Sequence, residues 1–309
     1  MKSWSNDPVD LEMIRTIGNR ARETRQIADT SRLYSGTPGF FGPTVIVCFI
    51  ACLGFFCLLS GCGENASDSL IKEAQDEWVK GRNHSAVELF KEVLKKNPSG
   101  PLAEEALFRL GEISHFSLGN SAQSIMYFQE LLQLNKKGIY AHDAQKYVAE
   151  IVEFTFKDYE QAIIEYQKLI DRFDKEDEKG DHQYRIASIY FKMQNYEQAL
   201  AEWEVLLEDY PKSNRAEETQ FKVVEILYTL QRCLEARQYY DDFLEKYPLS
   251  EFKDEVEFIM ASCLEEGGKL QEAYNRFKLL ENEYPYPAIL KTKMDGLEKR
   301  MKKSKKKRK

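Results

Sequence analysis

The sequence predicts an all-α solenoid of about six two-helix repeats, and three observations predict it. The first is a small residue followed four positions later by an aromatic. The pairs are Ala86/Phe90, Ser124/Phe128, Ala162/Tyr166, Ala199/Trp203, Ala236/Tyr240 and Ala273/Phe277. Their small residues are 38, 38, 37, 37 and 37 positions apart. A fixed period of this size marks stacked helical units, each too small to bury its apolar face alone. The second is a proline twelve residues after the small residue, at Pro98, Pro211, Pro248 and Pro285. Proline stops a helix there because it lacks the N–H the ladder needs. The third is helical spacing inside the units, as in Trp203, Leu206 and Leu207. A hydrophobic content of 43% supplies a continuous core, and 31% charged residues suit helices with one wet face.

Taken in order, the chain begins with a leader over residues 1–61. Its apolar core, residues 45–59, reads VIVCFIACLGFFCLL, fifteen residues without a charge. A spanning helix needs about 20, whereas a signal-peptide core needs roughly 7–15. Arg20, Arg22, Arg25 and Arg32 lie upstream and orient the N-terminus toward the cytoplasm. The run closes in Leu59-Ser60-Gly61-Cys62, which resembles the lipobox of bacterial lipoproteins. That resemblance implies cleavage between Gly61 and Cys62 by signal peptidase II and acylation of Cys62. Several acyl chains anchor far more firmly than one. Gly63, where an Asp would imply retention in the inner membrane, implies the periplasmic face of the outer membrane. A plain transmembrane anchor is the other reading of the same run, and either one puts the repeats outside the cytoplasm. The core is preceded by 44 residues, which makes this a long leader or places the true start downstream. Residues 62–69 are polar after Cys62 and read as a short lipidated tether.

The repeat domain follows over residues 70–287, each unit reading as helix A, turn, helix B, loop. The steps from Ala187 to Ala199 and from Ala261 to Ala273, with Leu110-Gly111, resemble the tetratricopeptide repeat. The resemblance implies a right-handed superhelix in which small residues let helices A and B cross closely. The period is longer than that family's 34, and the extra residues are assigned to the connection from helix B to the next helix A. Those connections read Asn97-Pro98-Ser99, Tyr210-Pro211-Lys212-Ser213 and Tyr247-Pro248-Leu249-Ser250, with Ser213 and Ser250 expected as N-caps. Together with the lipobox they resemble the BamD class of outer-membrane lipoproteins and the CpoB-type coordinators of the Tol–Pal system. The BamD resemblance implies a non-enzymatic scaffold that helps a barrel-assembly complex of envelope proteins. A Tol–Pal or peptidoglycan coordinator and a secretin pilotin are the alternatives. A groove for partner peptides would be lined by helix A, with Tyr184, Tyr190, Phe221 and Tyr228 as candidates; core positions are the other reading of the same four.

Catalysis and cofactors find no support. No Gly-rich phosphate loop, nucleophile elbow or HExxH stands in the chain. His84, His115, His142 and His182 are never three or four residues from one another, so solvated or turn positions and no metal are expected; a metal or general-base role is the other reading of any that is buried. Asp171, Asp174, Asp177, Glu178 and Asp181 crowd what reads as one solvated loop, without the alternation of a calcium loop. Cys233 and Cys263 lie in adjacent units, either bonded or as two separate buried small residues. The net charge of −7 conceals a basic end: residues 291–309 carry +9, leaving −16 on the rest. An acidic body argues against a nucleic-acid partner. Residues 288–309 read as a terminal helix and basic tail, the tail from Lys302 disordered by composition. It either touches an anionic surface or stays solvated.

Overall fold

The computed structural model describes residues 67–307, so Gly61, Cys62 and the leader lie outside the described residues. Among the described residues there are thirteen α-helices and no strand. They are α1 (67–79), α2 (Asn83–Lys96), α3 (Pro101–Glu112), α4 (Ser121–Leu134), α5 (Ala141–Glu150), α6 (Tyr159–Arg172) and α7 (Glu176–Lys192). Then come α8 (Tyr196–Asp209), α9 (Ala216–Thr229), α10 (Cys233–Lys246), α11 (Lys253–Glu266), α12 (Leu270–Leu279) and α13 (Pro287–Lys307). Consecutive pairs from α1/α2 to α11/α12 make six repeats, and α13 closes the stack. None of these helices is long and apolar enough to cross a membrane.

The repeating small and aromatic residues do what their spacing predicts. All twelve are buried. Gly111 shows why the crossing must be small: a Cβ there would meet the Phe128 ring at 2.4 Å. Ser124, the small residue of α4, crosses in the same place and donates its hydroxyl to the Gly111 carbonyl at 2.8 Å. The core runs on from repeat to repeat. Trp203 sits with Tyr184, Ala187, Val223 and Ile226, and Phe277 with Leu290, Met294 and Leu297 of α13.

The difference between periods of 38 and 37 has a structural cause. From the crossing position of helix A, a valine in repeat five and a small residue elsewhere, to the small residue of helix B is twelve steps in Ala74/Ala86, Ala187/Ala199, Val224/Ala236 and Ala261/Ala273. It is thirteen in Gly111/Ser124 and Ala149/Ala162. In those two repeats alone, helix A continues into a π-helical turn, Ile113–Ser117 after α3 and Ile151–Phe156 after α5. A π-bulge is an α-helix with one residue inserted. One of the extra residues therefore lies inside helix A, not in the connection after helix B where the sequence suggested all of them.

Every repeat then turns through one residue in the left-handed region: Gly81, Gly119, Lys157, Gln194, Gln231 and Gly268. In the unbulged repeats the turn is a Schellman closure. The Gln194 N–H donates to the Phe191 carbonyl and the Asn195 N–H to the Tyr190 carbonyl, both at 3.0 Å. In the bulged repeats the outer bond spans one residue more, from Asn120 to Ser114 and from Asp158 to Val152.

Four expectations are corrected. Ser213 and Ser250 do not cap α9 and α11, whose cap positions are Arg215 and Phe252. Each serine instead stands two residues earlier, its hydroxyl accepting from the N–H of Arg215 or Phe252 and so fixing the turn. Residues 67–69, read as tether, already belong to α1, with Ser67 buried and accepting from Asn97 at 2.7 Å. The acidic cluster is no single loop: Asp171 ends α6 while Asp177, Glu178 and Asp181 stand on α7, where the first acids suit a helix N-terminus. The basic tail is helical as far as Lys307. Of the two readings of Cys233 and Cys263, the structure has them bonded, with Cα atoms 5.7 Å apart. They replace the pairs Tyr159/Ile189 and Tyr196/Ile226, which occupy the same positions two repeats and one repeat earlier.

Candidate protein-docking face

Three residues before each left-handed turn, helix A carries Trp78, Phe116, Phe154, Phe191 and Tyr228 in the first five repeats. Equivalent positions in stacked helices follow one another at roughly 8–10 Å, so these five make a row along one edge. In the unbulged repeats the row is partly covered. Phe191 packs on Trp203 and Tyr196 at ring distances of 5.7 and 5.4 Å. Trp78 reaches over to Ser117 with its indole N–H at 3.1 Å. The π turns lift the other two outward: Phe116 is 61% and Phe154 50% exposed. Each π turn begins with buried residues, Ile113 and Ser114 or Ile151 to Glu153, and ends with exposed ones that include the two phenylalanines.

The setting of Phe154 is polar and cationic. Arg185 and Lys192, both from α7, lie 5.5 and 5.3 Å from its ring, an arrangement in which each cation meets the negative face of the ring. Lys192 also donates to Glu153, which is buried, at 2.5 Å, and the Tyr166 hydroxyl donates to the same carboxylate at 2.9 Å. Burial pushes the Tyr166 hydroxyl well above the usual tyrosine range, and the Glu153 charge adds to this. Burial likewise raises the Glu150 carboxyl one turn away, against the charges of Lys146 and Arg185. Phe116 rests on His115 and Tyr147. The edge thus offers two exposed aromatic rings on a rigid, hydrogen-bonded base, suited to an apolar partner side chain with an acidic neighbour.

The four candidate groove residues separate. Tyr184 and Phe221 are core: Tyr184 is buried beside Trp203 and donates to Glu218 at 2.7 Å, and Phe221 stacks on Phe252 at 4.9 Å. Their aromatic character serves the interface between repeats. Tyr190 and Tyr228 are half-buried, and Tyr228 belongs to the row. Phe116 and Phe154 escaped the sequence reading because it followed the period of helix B; the same period applied three residues before each turn finds them.

A second repeating feature was also hidden. Gln145, Gln183 and Gln220 hold one position of helix A in repeats three to five, and each is buried. Each donates to a backbone carbonyl of its own helix B, at Glu165, Glu202 and Tyr239. Gln145 and Gln183 also reach the carboxylates of Glu165 and Glu202, at 2.6 and 2.8 Å. Burial works to raise the Glu165 carboxyl, but hydrogen bonds from Lys168, Gln145 and Gln161 hold it below the usual range.

Two of the four histidines meet. His142 of α5 and His182 of α7 are 6% and 4% exposed, with ring centroids 6.0 Å apart. Burial, with the neighbouring His142, pulls the His182 imidazole down to about 4. Glu178 stands one turn before His182. Burial works to raise its carboxyl, yet the Lys175 hydrogen bond and the charges of His142, Lys175 and Lys146 keep it lowered.

Known proteins agree with this architecture. Residues 176–303 match the YfiO outer membrane lipoprotein family, and residues 71–138 match a tetratricopeptide repeat family. No curated protein matches the chain. Among solved structures, PilF of Pseudomonas aeruginosa is 14% identical, with 77% of this chain and 99% of that one covered and a TM-score of 0.44. PilW, described as a type IV pilus biogenesis factor, is 14% identical, with 74% and 97% covered and a TM-score of 0.43. A chain of the Naa15/Naa10 complex bound to HypK is 16% identical, with 75% of this chain and 33% of that one covered and a TM-score of 0.56. At 16% identity the likeness to the Naa15/Naa10 chain is one of fold alone. The chain is an all-helical tetratricopeptide-type solenoid, a protein-interaction architecture whose C-terminal repeats match an outer membrane lipoprotein family.

Proposed function

We propose that the protein is a lipid-anchored, non-enzymatic scaffold on the periplasmic face of the outer membrane. There it helps barrel assembly by docking the soluble domains of an integral barrel partner. The match of residues 176–303 to the outer membrane lipoprotein family carries this reading. Two features support it. Leu59-Ser60-Gly61-Cys62 is the sequence a lipid anchor needs. The bond between Cys233 and Cys263 suits an oxidising compartment. The exposed Phe116 and Phe154 edge is the docking face, since π-bulges recur where helices carry function and buried aromatics anchor most interfaces.

Proximity crosslinking of the full chain in its native bacterium, read by mass spectrometry, tests the proposal. The expected neighbours are an outer-membrane barrel and its periplasmic domains, with the bait's N-terminal peptide starting at an acylated Cys62. Phe116→Ala with Phe154→Ala should remove those neighbours and leave the helical circular-dichroism spectrum unchanged. Recovery of Tol–Pal, peptidoglycan or secretin proteins in place of a barrel would overturn the assembly role.

A further inference from the structure

We propose that His142, Glu178 and His182 form a binding site for one divalent transition-metal ion of the zinc class, joining the A helices of repeats three and four. One ligand atom from each of the three lies within 4.8 Å of the other two. The Nε2 atoms of both histidines are buried and have no hydrogen-bond partner. A buried polar atom without a partner costs free energy, and two such atoms beside one carboxylate are what a metal would satisfy. The His142 Nε2 is 3.6 Å from a Glu178 oxygen. That is too long for a hydrogen bond and close to the edge of about 3.3 Å that ligands at about 2.0–2.1 Å make around a tetrahedral ion.

The surroundings fit the chemistry. Glu178 and His182 are four residues apart on α7, so they face the same way and form a chelate within one helix. His142, the second residue of α5, completes the set from the preceding repeat. Its Nδ1 is 2.9 Å from an Asp143 oxygen. When Nδ1–H donates there, the Nε2 lone pair is free for the ion, and a carboxylate behind a ligating histidine is the usual orienting device. The rings of Phe173 and Tyr166 pack against His142 and His182, at 5.3 and 6.0 Å. Three protein ligands leave the fourth position to water, and the partly exposed Glu178 gives the ion its way in. Lys175 and Lys146 stand 3.1 and 3.7 Å from the Glu178 carboxylate, and Lys175 is also 2.9 Å from the His142 Nδ1. Both lysines are exposed enough to swing away: without the ion they hold the carboxylate, and Lys175, which can only donate, holds the His142 Nδ1 as an acceptor, so both contacts are given up when the ion binds and Nδ1–H turns to Asp143.

The test uses the full chain in detergent, stripped with a chelator and dialysed. Co²⁺ is titrated in and then displaced with Zn²⁺. The expected result is one equivalent of Co²⁺ with the intense visible bands of a tetrahedral site, displaced by one equivalent of Zn²⁺. Affinity should fall at least tenfold in Glu178→Gln, His142→Gln and His182→Gln, and stay unchanged in His84→Gln. Glu178→Gln keeps shape at a half-buried position, so it carries the test if either buried histidine proves necessary for folding. Three results would overturn the site. They are no saturable band, full affinity in Glu178→Gln, or a thiolate charge-transfer band, which would move the ion to cysteines.

Discussion

Repeats two and three differ from repeats four to six by one residue each, and where that residue sits decides how helix A ends. In the second and third, helix A ends in a π turn, and Phe116 and Phe154 stand out into solvent. In the fourth to sixth, helix A ends in a Schellman closure and the equivalent residues are half-covered. The A and B faces keep the same register in both regions, because the π turn takes up the inserted residue before helix B begins: Ile113 and Ser114, and Ile151 to Glu153, stay buried while Phe116 and Phe154 do not. A stack that depends on nearest-neighbour packing can therefore gain an exposed aromatic edge without losing a packing layer. The regions are also secured differently. The later repeats carry the Cys233–Cys263 bond, whereas the third repeat meets the fourth through buried histidines.

The largest effect should come from breaking that asymmetry at the disulfide. Its two cysteines are 30 residues apart, and closing a loop of that length stabilises by about 3–4 kcal/mol in the chain-entropy account. Cys263→Ser should lower hydrogen-exchange protection in α10 to α12 and leave α3 to α6 as they were. An equal loss in both regions would show that the array unfolds as one unit, and the two halves would differ only in shape.

Acid should act next, at the border between the regions. The folded His182 holds its proton only below about 4, while the unfolded side chain takes one up near 6.5. Between those values the unfolded state binds the extra proton, so stability is full above about 6.5 and falls as pH drops toward 4. The loss is on the order of 3 kcal/mol. Urea midpoints in the presence of a chelator should fall from pH 7 to pH 5 and flatten in His182→Phe. A slope that survives in that variant would assign the acid sensitivity to other groups.

What the sequence makes legible is what repeats along helix B. Ala199 and Trp203 announce a crossing and the filler beside it, and the same arithmetic finds all six units. Cysteine positions also carry information, since Cys233 and Cys263 replace residues that meet in other repeats. The docking edge and the histidine pair are harder to see, for two physical reasons. A π turn is a change in hydrogen bonding, not in composition, so a period of 38 shows an insertion and conceals its place. His142 and His182 are 40 residues apart and meet only because α5 and α7 are both A helices of successive repeats. A search for ligands three or four positions apart among histidines passes over Glu178, whose spacing from His182 is the one that matters. Tyr184 and Phe221 mislead in the opposite direction, because a tyrosine or phenylalanine on helix A looks the same in sequence whether it faces the next repeat or a partner.

A smaller effect would sharpen the comparison directly. Thr155 is an exposed residue of the second π turn. Deleting it should turn a 38-residue repeat into a 37-residue one at a cost within about 1 kcal/mol, because a π-bulge is a single inserted residue. Deleting Ser188 from the interior of α7, just before buried Ile189, removes a residue that no bulge supplies. That should cost more than about 2 kcal/mol, since it rotates buried positions out of register. Chemical denaturation of the two deletions gives the difference, and similar costs would mean that the bulge is part of the packing.

The smallest effect concerns the residue that both regions share. Lys157 follows a π turn, and Gln194 and Gln231 follow ordinary ones, yet all three adopt the left-handed conformation, with φ of 55°, 62° and 60°. A side chain there carries a penalty of roughly 1–2 kcal/mol, part of which glycine returns through the freedom it adds to the unfolded chain. Lys157→Gly, Gln194→Gly and Gln231→Gly should therefore each stabilise by about 0.5–1 kcal/mol, and Gly268→Ala should destabilise by a similar amount. Equal gains would mean that the bulge ends before the turn and leaves it unchanged. A gain at Gln194 and Gln231 with none at Lys157 would mean that the inserted residue relaxes the turn as well. The two regions would then differ in how they enter helix B, not only in how they leave helix A.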